Sequence, residues 1–259
     1  MPTKPITLLA VGETMAVVTP MQAERVVDAD VFRVDAGGAE SNLAAHVAAA
    51  GHGVRWHSRL GDDALGERVL RRVAARGVDV STVTRDPERP TGLYVKDPGH
   101  GVRYYCAGSA ASALGSADAE AVDLEGIRVV HVSGITAAIS ASGAAFVDAL
   151  ITRAQAAGVL VSFDVNHRAA LWSHEVAAAA RVQADIVAVR LTQLDPGGQV
   201  GAHLVFHLQI LLQHFHHGHA RLERVRTHVR VAAEEQDATQ QRIGVLGFFF
   251  HLVADTLIR

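Results

Sequence analysis

The chain has one cysteine, Cys106, which excludes an internal disulfide and any metal site built from several thiolates. Lysine is nearly as scarce. Lys4 and Lys96 stand against 22 arginines, a skew that follows GC-rich coding and carries no functional information. No apolar run reaches the length of a bilayer-spanning helix, and the short apolar run within Met1 to Ala10 is too brief for a secretory leader. A cytoplasmic protein without a membrane partner is therefore expected. A net charge of −3 gives no electrostatic reason to expect nucleic acid. Two nucleotide-binding fingerprints are also missing. A Gly-x-x-x-x-Gly-Lys-Ser/Thr loop is absent, and the first strand-to-helix turn, Val11-Gly12-Glu13-Thr14, lacks Gly-x-Gly-x-x-Gly, which argues against a nicotinamide-dependent dehydrogenase.

What is present supports a sizeable core. The 259 residues, 49% of them hydrophobic, suffice for one large α/β domain or two small ones. Ile6 to Val11 is an apolar run of buried-strand character ending at Gly12-Glu13. Leu43, Ala44, Val47 and Ala48 mark the buried face of a helix, Val54 to Ser58 a strand, and Ala64 to Ala75 a helix that Gly77 ends. Thr91 to Lys96 and Val102 to Tyr105 alternate around the turn Asp97-Pro98-Gly99. Val129 to Val132 is a strand, and Ser142 is the expected cap of a helix with Phe146, Val147, Leu150, Ile151 and Ala154 on one face. Val159 to Phe163, a helix Glu175 to Arg181 and a strand Ile186 to Val189 follow. Strands alternate with helices, so the expected fold is α/β with a mostly parallel, doubly wound sheet.

The candidate site begins at Asp35-Ala36-Gly37-Gly38-Ala39-Glu40-Ser41-Asn42, just before the first helix. Adjacent glycines permit positive φ and close approach of a ligand, and the helix aims its free N–H groups and positive dipole end at that loop. Ligands of open α/β sheets bind beyond the carboxyl ends of strands. Glu13 therefore falls near the site, unless it is a solvated loop carboxylate.

These motifs, with Gly61-Asp62-Asp63-Ala64-Leu65-Gly66, resemble the N-terminal signature of ribokinase-like (PfkB) carbohydrate kinases. Tyr104-Tyr105, Gly108-Ser109-Ala110-Ala111-Ser112, Asp164-Val165-Asn166-His167-Arg168 and Leu171-Trp172 look like the 2-keto-3-deoxygluconate kinase branch. The resemblance covers roughly residues 6–189 and implies a ribokinase-like core over residues 1–189. It implies a small β-sheet lid from about residues 14–35 and 88–107, which in the family covers the sugar and often forms a homodimer contact. It also implies ATP and Mg²⁺ as cofactors and a small sugar or sugar acid as substrate. Gly37, Gly38 and Asn42 match the family's sugar-hydroxyl contacts, and Tyr94 and Tyr104 match its lid tyrosines. Arg168 matches an arginine suited to a substrate carboxylate, with a structural ion pair as its other reading. Cys106 departs from the branch, which has a second arginine there; a thiol offers no bidentate donor.

From residue 190 the character changes. Seven of ten glutamines and eight of fifteen histidines lie in the last 70 residues. The family's Gly-Ala-Gly-Asp motif, whose aspartate is its base, has no counterpart there, and neither has its Asn-x-x-Glu motif, which helps organise Mg²⁺. Gly197-Gly198 lacks a following aspartate, Ala254-Asp255 lacks the glycines, and Asp195 is a poor substitute. No catalytic residue is therefore assigned. Residues 190–259 are read either as the product of a reading-frame shift near codon 189, leaving the last part of the fold missing or aberrant, or as a divergent native tail. Leu204 to Phe215 is apolar enough for a helix. On that helix His203 and His207, with His214, His216, His217 and His219 nearby, would bind Zn²⁺ or Ni²⁺, but no carboxylate or cysteine completes a site and no metal is expected. Gly247 to Val253 is an aggregation hazard if exposed. A sheet without its last strands would leave an open edge. The two functional expectations are impaired sugar-acid phosphorylation and a non-catalytic sugar-acid-binding remnant.

Overall fold

A computed structural model describes residues 5–164 and 166, together with the backbone of three further strands, 186–188, 203–216 and 219–232. The first strand, Ile6–Val11 (β1), is apolar and buried from Leu8 to Val11 because both its faces are covered there. Leu9 and Val11 belong to one core cluster and Leu8 and Ala10 to another. This is the two-residue alternation of a strand between two helical layers.

Beyond Gly12-Glu13-Thr14 the chain leaves as Met15–Pro20 (β2) and returns antiparallel as Phe32–Gly37 (β3). Ala39–Ala49 (α1) leads to Gly53–His57 (β4). A short strand, Arg59–Gly61 (β5), precedes Ala64–Ala74 (α2) and pairs with Thr84–Asp86 (β6). Leu93–Asp97 (β7) and Gly101–Tyr105 (β8) form a hairpin whose turn uses Gly99 at φ +77. A 3₁₀ turn at Ala111–Ala113 and the helix Ser116–Ala121 (α3) return to the main sheet at Val129–Ser133 (β9). Gly134–Ala138 (α4), Ala141–Ala156 (α5) and Leu160–Asp164 (β10) follow. The described chain closes with Ile186–Ala188 (β11), His203–His216 (β12) and His219–Ala232 (β13).

The main sheet runs β13-β12-β11-β10-β9-β1-β4. Its four pairings from β4 to β11 are parallel and its last two are antiparallel. Helices α1 and α2 cover one face through Leu43, Val47, Val69 and Val73. Helix α5 covers the other through Phe146, Val147, Leu150, Ile151 and Ala154, the face expected from its spacing. A separate four-stranded sheet, β3-β2-β7-β8, forms the lid. Among the described residues, no helix is long and apolar enough to cross a membrane.

Three local expectations are corrected. Helix α5 is capped by Ser140, whose Oγ accepts from the Gly143 N–H at 2.9 Å; Ser142 instead donates its hydroxyl to the Ser112 carbonyl at 3.0 Å. Leu204 to Phe215 is strand, not helix, because it lies within β12, which pairs along its whole length with β13. Val225, Thr227, Val229 and Val231 of β13 alternate with polar residues, a period that suits a strand and not a helix. The edge expected to be open at β11 is occupied by β12. The expected helix Glu175 to Arg181, the segment Gly247 to Val253 and His217 lie outside the described residues.

Candidate functional site

The carboxyl ends of β1, β9 and β10 meet the start of α1 and the roots of the lid. Gly12 is held there by the Trp56 indole, which donates to its carbonyl at 3.1 Å. A Cβ at Gly12 would lie 2.3 Å from the Glu40 carboxyl, so only glycine lets α1 seat against β1. Glu40 is 1% exposed. Its Oε1 accepts from the Ser133 N–H at 3.1 Å, the Ser133 hydroxyl at 2.5 Å and the Thr136 hydroxyl at 3.3 Å. Burial raises its pKa to about 7; the Ser133 hydroxyl opposes the shift and nearby Asp164 adds to it.

Glu13 is not the solvated loop carboxylate of the alternative reading. It is 2% exposed, and its Oε1 accepts from the Ser109 hydroxyl at 2.6 Å. Burial raises its pKa to about 7, with the Ser109 hydrogen bond opposing and Glu40 adding. That value would suit a general base at neutral pH. The geometry does not, because the carboxyl is enclosed and one oxygen is engaged by Ser109. Asp164 ends β10 and accepts from the Asn166 N–H at 2.9 Å. Asn166 is buried and takes φ 41, a left-handed conformation that asparagine tolerates.

Gly37 and Gly38 do not adopt the positive φ expected of them; Gly38 caps α1 in an extended conformation, φ −155. Their lack of a side chain serves close approach instead. A Cβ on Gly37 would lie 2.2 Å from the Tyr94 hydroxyl, and one on Gly38 would lie 2.6 Å from the Glu13 carbonyl oxygen. Tyr94 thus reaches from β7 across β2 to the end of β3. Tyr104 sits opposite it on β8, ring centroids 5.6 Å apart and tilted 43°. The structure therefore gathers Gly37, Gly38, Glu13, Tyr94 and Tyr104 where lid meets core. Asn42 is apart from them, exposed on α1 with its Oδ1 accepting from Arg76 at 3.1 Å. Arg168 lies outside the described residues.

An open cavity of about 800 Å³ runs beside β8, lined in part by Arg103, Tyr104 and Cys106. Burial and then the Glu13 carboxyl push the Cys106 thiol above its usual range, which suppresses the thiolate a nucleophile needs. Among the described residues, no group of three or more His, Cys, Asp or Glu side chains is clustered to hold a metal ion.

Several contributors were not singled out in the sequence. The Gly61 to Gly66 motif has a structural meaning: Asp63 caps α2 by accepting from the Gly66 N–H at 2.7 Å and also accepts from the Thr91 N–H at 2.8 Å. It joins α2 to the start of the β7–β8 arm. Glu40, Ser109 and Ser133 stood inside or beside quoted motifs, but their burial is set by tertiary contacts.

A mostly parallel, doubly wound sheet with a four-stranded lid beside its strand ends is the architecture of the ribokinase-like class. The chain belongs to the pfkB family carbohydrate kinases, whose family model matches residues 6–195. It is 36% identical over 166 residues to a 2-dehydro-3-deoxygluconokinase of Bacillus subtilis (strain 168), covering 62% of this chain and 51% of that one. It is similar to a solved PfkB protein of Polaromonas sp. JS666 at 26% identity and TM-score 0.69, over 95% of this chain and 89% of the other. A sugar kinase of Pyrococcus horikoshii solved with ATP shares the fold, at 18% identity and TM-score 0.70, over 95% and 83% of the two chains. The chain spans about half the length of the curated relatives it matches.

Proposed function

We propose that this chain binds a keto-deoxy sugar acid of the 2-keto-3-deoxygluconate kind in the acceptor site of a carbohydrate kinase, and that its transfer of phosphate from ATP is weak or absent. The observation that carries this reading is the convergence of Gly37, Gly38, Tyr94 and Tyr104 at the junction of lid and core. The tyrosine hydroxyls offer donors to the hydroxyls or carboxylate of such an acid, and the glycines leave room for it. Arg168 would add a bidentate partner for the carboxylate. Asn42 contributes to this site only if it leaves Arg76.

ATP would supply the phosphoryl group, with Mg²⁺ balancing the charge of its phosphates. The described residues do not fit that part of the reaction, because both buried carboxyls at the strand ends already accept serine hydroxyls. The sequence also contains no Gly-Ala-Gly-Asp to serve as anion hole and base. An intact kinase is the second reading and requires a base within residues 190–259. A homodimer through the lid fits the exposed apolar residues Met21, Val27, Val31, Phe32, Val102 and Tyr105, all on the lid sheet or the loop between β2 and β3. A cytoplasmic location, with no nucleic-acid or membrane partner, belongs to the same reading.

The test is ADP release measured with 2-keto-3-deoxygluconate and ATP–Mg²⁺, alongside direct binding of the acid. Binding without sugar-dependent ADP release is the expected result. Sugar-dependent ADP release would favour the intact kinase, and absence of binding would overturn both.

A further inference from the structure

The β7–β8 arm of the lid meets the core at two roots, and both rest on Glu13. At the leading root, the Thr91 hydroxyl accepts from the Gly61 N–H at 3.0 Å and the Gly92 carbonyl accepts from the Ala16 N–H at 2.9 Å. Gly92 lies directly against the Glu13 carboxyl, since a Cβ there would fall 2.5 Å from Oε1. At the trailing root, Ser109 donates to that same Oε1 at 2.6 Å and accepts from the Ser112 N–H at 3.2 Å. The Ala110 N–H donates to the Pro90 carbonyl at 2.8 Å and draws the two roots together. The Ser112 carbonyl then accepts the hydroxyls of Ser140 at 2.6 Å and Ser142 at 3.0 Å, tying the trailing root to the start of α5.

A carboxyl is an expensive group to bury, and an aliphatic side chain would fill the same space at lower cost. Among the described residues Glu13 Oε2 has no hydrogen-bond partner, so the carboxyl's hydrogen bonding there passes through Oε1. We propose that Glu13 is a positioning residue that latches both roots of the β7–β8 arm to the tip of β1 and so fixes where Tyr94 stands against Gly37 with Tyr104 beside it. Releasing the latch leaves the arm tied within the lid by the β2–β7 pairing, Ala16 opposite Leu93 through Val18 opposite Val95, and by the Val26 N–H donating to Asp97 at 2.9 Å, and tied to the core at its leading root by the Thr91 contacts with Gly61 and Asp63. The arm then loosens while the main sheet keeps its packing.

The latch itself can be tested without any ligand; only its effect on affinity rests on the proposed acceptor site. Amide hydrogen exchange would be followed by mass spectrometry in the native chain and in Glu13→Ala, Ser109→Ala and Glu13→Gln. Glu13→Ala and Ser109→Ala should speed exchange in residues 93–105 about ten-fold and leave 141–156 unchanged. Glu13→Gln should stay near native, because its amide oxygen still accepts from Ser109. The dissociation constant for 2-keto-3-deoxygluconate should follow the same order. Unchanged exchange in 93–105, an equal rise in 141–156, or Glu13→Gln behaving like Glu13→Ala would overturn the latch. Exchange that changes as expected in a chain that does not bind the acid leaves the latch standing and counts against the acceptor site.

Discussion

Glu40→Gln removes an ionisable group without removing the acceptor that Ser133 and Thr136 need. In the native chain Glu40 is 1% exposed and its pKa is raised by burial from 4.5 to about 7. Between those values the folded state keeps a proton that the unfolded chain has released. The stabilisation is therefore fully present below about pH 4.5 and is lost as pH rises through about 7. At about 1.4 kcal/mol per pKa unit, the whole effect is about 3 kcal/mol, of which about 2–3 kcal/mol falls between pH ~5 and pH ~8. His46, His57 and His131 have pKa values lowered by burial and act in the opposite sense, adding stability as pH rises toward 6.5. The difference between variant and native chain cancels them. Urea denaturation of both chains across that range is the assay. The glutamine variant should gain about 2–3 kcal/mol on the native chain from the acid end to the alkaline end. Parallel curves, or a native chain that gains on the variant as pH rises, would refute the assignment of a buried, proton-holding Glu40.

Gly38→Ala places a Cβ 2.6 Å from the Glu13 carbonyl oxygen and 2.9 Å from the Thr14 Cα, backbone atoms with no freedom to step aside. It should cost about 1–3 kcal/mol in denaturant unfolding, and a variant as stable as the native chain would contradict that packing. Ser140→Ala removes the cap of α5 and one hydroxyl on the Ser112 carbonyl, for a loss of about 1 kcal/mol in the same measurement; Ser142→Ala, which caps nothing, should lose less. Phe146 is 0% exposed at the centre of the α5 face and stacks on His57 with centroids 6.3 Å apart. Phe146→Ala should cost about 3–5 kcal/mol with an unchanged denaturant slope.

The parts of the fold that periodicity could reveal were legible. Leu9, Val11, Val130 and Val132 read as buried strands because neighbours on both faces demand apolar runs, and α5 showed its face through Phe146 to Ala154. Pairing between distant segments was not legible. Leu204 to Phe215 has too little periodicity to separate helix from strand, and it is the alternating β13 that makes it a strand. At the site, Gly37 and Gly38 were located by their company, yet their role differs: close packing against Tyr94 and Glu13 in place of positive φ. Glu13 was placed near the strand ends by the sheet rule, but its enclosure depends on Gly92 and Ser109, 79 and 96 positions away. Glu40 gave no signal of its own, since a glutamate in the first turn of a helix usually marks nothing more than a favourable dipole.

The central claim is tested most directly by calorimetric titration of 2-keto-3-deoxygluconate into the native chain and into Tyr94→Ala, with ADP measured in the same samples after ATP and Mg²⁺ are added. The account predicts saturable binding at one site per chain, strong weakening in the variant, and no sugar-dependent ADP. Heat of dilution alone at millimolar sugar acid, or binding indifferent to Tyr94, would contradict it.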